Sequence, residues 1–153
     1  MANTYTQIYL HVVFAVSGRA CVIGSGRREE LQRYITGIVT RQVQKLIAIY
    51  CMPDHTHVLL GLKSNVAPSD LIGDIKTGST NHINKQQWSR CRFSWQEGYG
   101  AFLVSHSHLD RVAGYIRNQT AHHRQKSFQQ EYLEFLERHD VSYHERYIFK
   151  PIV

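Results

Sequence analysis

The chain has 153 residues, of which 42% are hydrophobic and 20% charged, a balance that fits one globular domain over 1-153 and excludes a disordered chain. Its formal charge of +6 and pI near 9.4 favour a polyanionic partner without naming one, since acidic membranes also attract basic proteins. No stretch approaches the length of an apolar span, and Met1-Ala2-Asn3-Thr4-Tyr5 lacks the basic-then-apolar order of a secretion signal, so neither a membrane anchor nor an export signal is expected.

Ile8 to Val16 is a continuous apolar run rich in β-branched and aromatic residues, which predicts a central strand. Gly24-Ser25-Gly26 breaks it, after which Leu31, Tyr34, Ile35, Ile38, Val39 and Leu46 recur at helical spacing. Ile47 to Met52 is a second apolar run, closed by Pro53-Asp54, and His55 to Leu62 reads as a third strand, so the two form a hairpin. Pro68-Ser69-Asp70 opens a second helix carrying Leu71, Ile72, Ile75 and Ile83. An aromatic loop from Trp88 to Gly100 follows, then a strand from Ala101 to His106, a helix from Leu109 to Lys126 and a last helix from Phe128 to Arg138. The order β-α-β-β-α-β then helices predicts an α+β fold of the ferredoxin-like (RRM-like) split βαβ type. Such a fold has an antiparallel sheet with helices on one face and additional C-terminal helices, and its other face is expected to stay open for a ligand.

His55 and His57 flank Thr56 on one strand and so project from the same face. Thr56, Val58, Leu60 and Leu62 point the other way, toward the helices. Two imidazoles on the open face suit a pair of metal ligands with coordination positions left over; the same pattern also describes two surface histidines on a half-buried strand. On the helix from Leu109, the residues Leu109, Val112, Ala113, Ile116 and Thr120 form one stripe, and Arg111, Tyr115, Gln119 and His122 a neighbouring one. Tyr115 and Gln119 thus present a phenol and an amide side by side, although a tyrosine beside an apolar stripe often only packs. Lys76, Lys85, Arg90 and Arg92 interleave with Trp88, Phe93, Trp95 and Tyr99, which describes either a single-strand binding surface or a loop whose aromatics enter the core. Arg111 and His122 are read as further DNA contacts.

Met52-Pro53-Asp54-His55-Thr56-His57-Val58-Leu59-Leu60 resembles the HUH segment of the single-tyrosine transposases of small bacterial and archaeal insertion sequences. Trp95-Gln96-Glu97-Gly98-Tyr99-Gly100-Ala101-Phe102 resembles a second block of that family, and Tyr115-Ile116-Arg117-Asn118-Gln119 with His122-His123 its catalytic helix. The opening Tyr9-Leu10-His11-Val12-Val13-Phe14 and the ending Tyr143-His144-Glu145-Arg146-Tyr147 also fit, so the likeness runs over nearly the whole chain. The resemblance implies an enzyme that cleaves and rejoins single-stranded DNA hairpins at element ends through a 5′-phosphotyrosine. It implies Tyr115 as the nucleophile and His55, His57 and Gln119 as the metal ligands. It also implies a homodimer, with the helix of Tyr115 completing the partner's site. Thr56 departs from the family pattern, which has a bulky hydrophobe there, and a small packing loss is expected.

Mixed nitrogen and oxygen ligands suit Mn or Mg, while Cys51 with His55 and His57 is a remaining, less favoured zinc arrangement. No phosphate-binding P-loop is present, since Gly24-Ser25-Gly26 lacks the following Gly-Lys-Ser/Thr, and no nucleotide cofactor is expected. Cys21, Cys51 and Cys91 are odd in number and widely spaced, so they read as reduced thiols in a cytoplasmic protein. Two other readings stay open: a domesticated relative acting on repeat palindromes, and a non-catalytic single-stranded DNA binding module. A relaxase or replication initiator shares the chemistry but usually carries further domains.

Overall fold

The apolar run after Gln7 forms β1 (Ile8–Ala15), and in the computed structural model it lies inside a four-stranded sheet. The structure describes residues 3–18, 23–88 and 91–150. Arg90, one of the expected DNA contacts, and Cys21 lie outside the described residues. β1 pairs antiparallel with β3 (His55–Leu62) on one side and β4 (Gly100–Leu103) on the other, while β2 (Lys45–Cys51) pairs with β3, giving the order β2-β3-β1-β4. Helix α1 (Arg28–Arg41) connects β1 to β2 and α2 (Pro68–Lys85) connects β3 to β4. This is the expected split βαβ order.

Local chemistry explains these helices. Glu29 and Glu30 lie in the first turn of α1 and Arg41 in its last, each favourable to the helix dipole. Pro68 opens α2, where a missing N–H costs nothing. Phe14 pairs with Thr56, Val12 with Val58 and Leu10 with Leu60, so these residues share a face. They form one core with Leu31, Ile35 and Val39 of α1 and Leu71, Ile72 and Ile75 of α2. Trp95 and Phe93 of the aromatic segment join that core, with Trp95 Nε1 donating to Ser79 Oγ at 2.9 Å.

The opposite face carries His11, Val13 and Ala15 of β1 and His55, His57 and Leu59 of β3. The expectation that it stays open is corrected here. It is covered by α3 (Leu109–Arg117), α4 (Gln119–His122) and α5 (Phe128–Arg138). Ala113 and Ile116 of α3 pack on Leu59, while Phe128 of α5 stacks on His55 at 4.0 Å between ring centroids, and Phe135 meets His11 edge-on at 5.0 Å. The physical reason is the apolar stripe of α5, Phe128, Tyr132, Phe135 and Leu136, which needs a surface to bury. Gly100 admits it: a Cβ there would come within 2.8 Å of the Tyr132 ring.

The single helix expected from Leu109 to Lys126 is also corrected. It breaks at Asn118, whose φ of −101° and ψ of 25° leave the helical region. Asparagine competes for backbone hydrogen bonds and disfavours helix interiors. A capping box between Ser127 and Gln130 then starts α5. Among the cysteines, Cys51 is a buried free thiol, but Cys91 is disulfide-bonded. Sequence spacing carries no information on the approach of two Cα atoms that decides such pairing, and cysteine usage therefore no longer argues for a compartment. No helix among the described residues is long and apolar enough to cross a membrane.

Candidate active site

Strand alternation places His55 and His57 on the face beneath α4 and α5, both fully buried. The inner nitrogen of each ring is already engaged. His55 Nδ1 lies 2.6 Å from Asp54 Oδ1, and His57 Nδ1 lies 2.7 Å from His11 Nε2. Burial works against the Asp54 charge, but its bond to His55 outweighs this and holds the carboxyl below its usual range. The ionised Asp54 accepts a hydrogen bond from His55 Nδ1, which leaves His55 Nε2 facing inward. His57 Nε2 points into the same space, 2.9 Å from Glu131 Oε1.

The turn at Asn118 brings Gln119 onto these rings. Its Oε1 lies 3.2 Å from His55 Nε2 and 2.9 Å from His123 Nε2, while its Nε2 donates to Glu131 Oε2 at 3.2 Å. Tyr50, on β2, fixes α4 from the side: its hydroxyl lies 2.8 Å from Thr120 Oγ1 and accepts from Arg28 at 2.7 Å. Tyr115, one turn before Gln119, donates its hydroxyl to Glu131 Oε2. The structure therefore brings His55, His57, Gln119 and Tyr115 together within one chain. In this single chain the Tyr115 helix lies against the chain's own histidines.

The ligand atoms of His55, His57, His123 and Glu131 all lie within 4.8 Å of one another. Donors about 2.0–2.3 Å from one cation span roughly that distance, so the residues present fit a divalent ion. Charge follows the same pattern. Burial drives His57 down to about 4 against the pull of Glu131. Burial would raise the Glu131 carboxyl, but its bonds to His123, His57 and Tyr115 hold it well below the usual carboxylate range. Burial and the carboxylate together push the Tyr115 phenol up.

Three residues at this centre went unassigned in the sequence: His123, Glu131 and His11. Glu131 had a legible signal, because it interrupts the apolar stripe Phe128, Tyr132, Phe135 of α5 with a charge. His123 sat beside His122 in a motif block without a role. Cys51 takes no part; it pairs with Thr56 on the other face, and burial pushes its thiol up to about 12.

The expected DNA contacts divide between two layers. Lys76, Lys85 and Trp88 belong to α2 and its end, on the sheet face away from the histidines. Lys76 Nζ donates to Gln96 O at 3.0 Å and also to Gly98 O, which ties down the aromatic segment. Trp88 lies under the Arg27 guanidinium, 5.4 Å from its ring centroid, and Lys85 and Arg92 are exposed. Arg111 is exposed on α3. His122 lies against Tyr115, 4.3 Å between ring centroids. An opening of about 180 Å³ beside Tyr115 is lined by His122, Lys126, Glu131 and Arg138.

The profile of the family described as "Transposase IS200 like" matches residues 4–119. The chain belongs to that family. A search of curated proteins returns no match. Among solved structures, a candidate transposase from Deinococcus radiodurans R1 is 23% identical, with a TM-score of 0.59 over 78% of this chain and 95% of that one. A REP-associated tyrosine transposase bound to a REP hairpin is 14% identical, with a TM-score of 0.61 over 80% of this chain and 73% of that one. Both share the fold. The family match includes His55, His57, Tyr115 and Gln119 and stops before His123 and Glu131.

Proposed function

We propose that this transposase cleaves and rejoins single-stranded DNA, with Tyr115 as nucleophile and a divalent Mn or Mg ion held by His55, His57 and Gln119. The observation that carries this reading is the convergence of the three ligand side chains within reach of the carboxylate that holds the Tyr115 hydroxyl. The bound cation supplies charge stabilisation at the scissile phosphate. Tyr115 gives up its hydroxyl proton as its oxygen attacks the phosphorus, a Tyr–O–P bond forms, the P–O3′ bond breaks, and the leaving 3′ oxygen takes up one proton in return. The phosphodiester energy is kept in the 5′-phosphotyrosine, so rejoining needs no nucleotide cofactor.

Hairpin-forming single strands are the proposed substrates, supported by the REP hairpin held by a protein of the same fold. Two cleavages by a chain with one such tyrosine call for two active sites, which a homodimer provides. The protein's place of action is proposed as the cytoplasm, where the DNA is. The phosphate approaches through the opening at Tyr115, where Arg138 supplies positive charge and Lys126 is paired with Glu134; Lys76, Lys85, Arg90, Arg92, Trp88, Arg111 and His122 remain proposed DNA contacts.

The test is incubation of the protein with labelled single strands from the gene's flanks, in Mn or Mg and in EDTA, followed by a denaturing gel. A protein-linked product is expected with metal, absent in EDTA and absent from Tyr115→Phe. An adduct formed equally by Tyr115→Phe overturns the nucleophile. DNA binding with no adduct under any metal supports the non-catalytic module instead. Strands from an insertion-sequence end and from a repeat palindrome, compared side by side, separate the mobile enzyme from its domesticated counterpart.

A further inference from the structure

Glu131 lies on α5, is 2% exposed, and belongs to the part of the chain that follows the family-matched residues. Its two oxygens face different groups. Oε1 lies 2.9 Å from His57 Nε2, 3.3 Å from His123 Nε2 and 3.6 Å from His55 Nε2. Oε2 accepts from the Tyr115 hydroxyl and from Gln119 Nε2. Its ion-pair partners among the described residues are all imidazoles.

The tautomers show what those imidazoles offer. His123 Nδ1 lies 2.8 Å from Lys126 O, a carbonyl that can only accept, so Nδ1 carries the hydrogen. His123 Nε2, and the Nε2 of His55, whose Nδ1 lies 2.6 Å from Asp54, are then the ring nitrogens that face the site. Gln119 uses its Nε2 on Glu131, so its Oε1 also presents lone pairs to the same space. His55 Nε2, His123 Nε2, Gln119 Oε1 and Glu131 Oε1 thus face one another in a buried cluster. Such an arrangement repels itself unless protons or a cation lie between them.

Resting on the function proposed above, we propose that His123 and Glu131 complete the metal site from this chain's own C-terminal helices, and that the other oxygen of Glu131 positions the Tyr115 phenol beside it. Two ligands are thereby added to His55, His57 and Gln119, one of them anionic. A set of three imidazole nitrogens and two oxygens suits Mn better than Mg, which prefers oxygen ligands, and better than the tetrahedral sites favoured by Zn. Glu131 is a positioning residue for Tyr115 as well as a ligand; His123 is a ligand only.

The full-length chain is titrated with Mn in the absence of DNA, followed by electron paramagnetic resonance, for the wild type, Glu131→Gln and His123→Ala. Both variants are expected to bind Mn at least about tenfold more weakly. Adduct formation at saturating Mn then separates the two roles: excess Mn restores a larger share of the lost rate in His123→Ala than in Glu131→Gln. Wild-type Mn affinity in both variants overturns the proposal, and equal recovery of the adduct rate overturns the positioning of Tyr115. If Glu131→Gln fails to fold, judged by circular dichroism in EDTA, the half-buried His123→Ala decides the ligand set, and unchanged Mn affinity there overturns it. A wild-type chain that binds no Mn sinks the underlying function; a wild-type chain that binds it and variants that match it sink only this extension.

Discussion

His11 Nε2 lies 2.7 Å from His57 Nδ1, with both rings buried between β1 and β3. The contact fixes the tilt of the His57 ring and leaves its Nε2 for the site. Outer partners of this kind typically change metal affinity about 10–100-fold when removed. His11→Leu should therefore weaken Mn binding by that factor while keeping His55, Gln119 and Tyr115 in place. Unchanged affinity would show that packing alone orients His57.

Exposed histidines on an open sheet face could be removed at no cost to folding, but both are fully buried here. His57→Ala leaves a cavity beneath α5 and strips partners from His11 and Glu131. A loss of about 3 kcal/mol is expected in EDTA, read from urea unfolding. A wild-type midpoint would contradict the coverage of that face by α5.

Much of this architecture was legible, because β3 alternates cleanly and α1 and α2 carry strong helical periodicity around ordinary start signals. Hydrophobic pattern alone sufficed for the β-α-β-β-α-β order, while His55, His57, Tyr115 and Gln119 were singled out through the family resemblance and lie side by side in the structure. What could not be read was long-range. The docking of α5 on the histidine face depends on the missing side chain of Gly100 meeting Tyr132, 32 residues later in sequence. For the same reason Glu131 showed only as a charge out of place on an apolar stripe, and nothing in the sequence said what it would face. Phe93 and Trp95 went to the core, whereas Trp88 and Tyr99 remained nearer the surface; the interleaved basic pattern does not distinguish these fates.

Thr56 occupies the position where the family pattern has a hydrophobe, and its buried Oγ1 has no well-formed hydrogen bond among the described residues, only the weak thiol of Cys51 nearby. A buried hydroxyl left in that state costs about 1–3 kcal/mol. Thr56→Val replaces it with a methyl group of the same shape and should raise stability by about 1 kcal/mol without altering Mn affinity, since the side chain points away from the site. A drop in thermal midpoint would show that the hydroxyl has a role in the fold.

Acid should destabilise the metal-free protein. Burial lowers His57 to about 4, and burial also lowers His11. In the unfolded chain both titrate near 6.5. Between about 6.5 and 4 the unfolded state binds protons that the native state refuses, so stability falls as pH falls through that window. Glu131 and Asp54, both depressed in the fold, add a further loss below the ordinary carboxylate range. His123 runs the other way: burial opposes its charge, the Glu131 bond outweighs it, and its contribution is lost as pH rises through its raised value. Two lowered histidines outnumber one raised, so urea midpoints in EDTA should decline from pH 6.5 to 4.5, and a rise across that range would overturn the assignment of neutral His57.

Because Tyr115 reaches the histidines of its own chain, mixing His57→Ala subunits with Tyr115→Phe subunits should give no cleavage: each site then carries one defect. Restored adduct formation in tagged heterodimers would mean that the helices exchange between subunits during the reaction.

Coverage of both sheet faces also bears on how long a cut end survives. The Tyr115 oxygen sits at the foot of a narrow opening, with α5 roofing the imidazoles behind it. The roof of α5 limits the directions from which water could reach a phosphotyrosine formed on the proposed mechanism. On the proposed mechanism, a strand attached there would be kept for the next 3′-hydroxyl that arrives, and the helix past the family-matched segment would favour resealing over simple nicking.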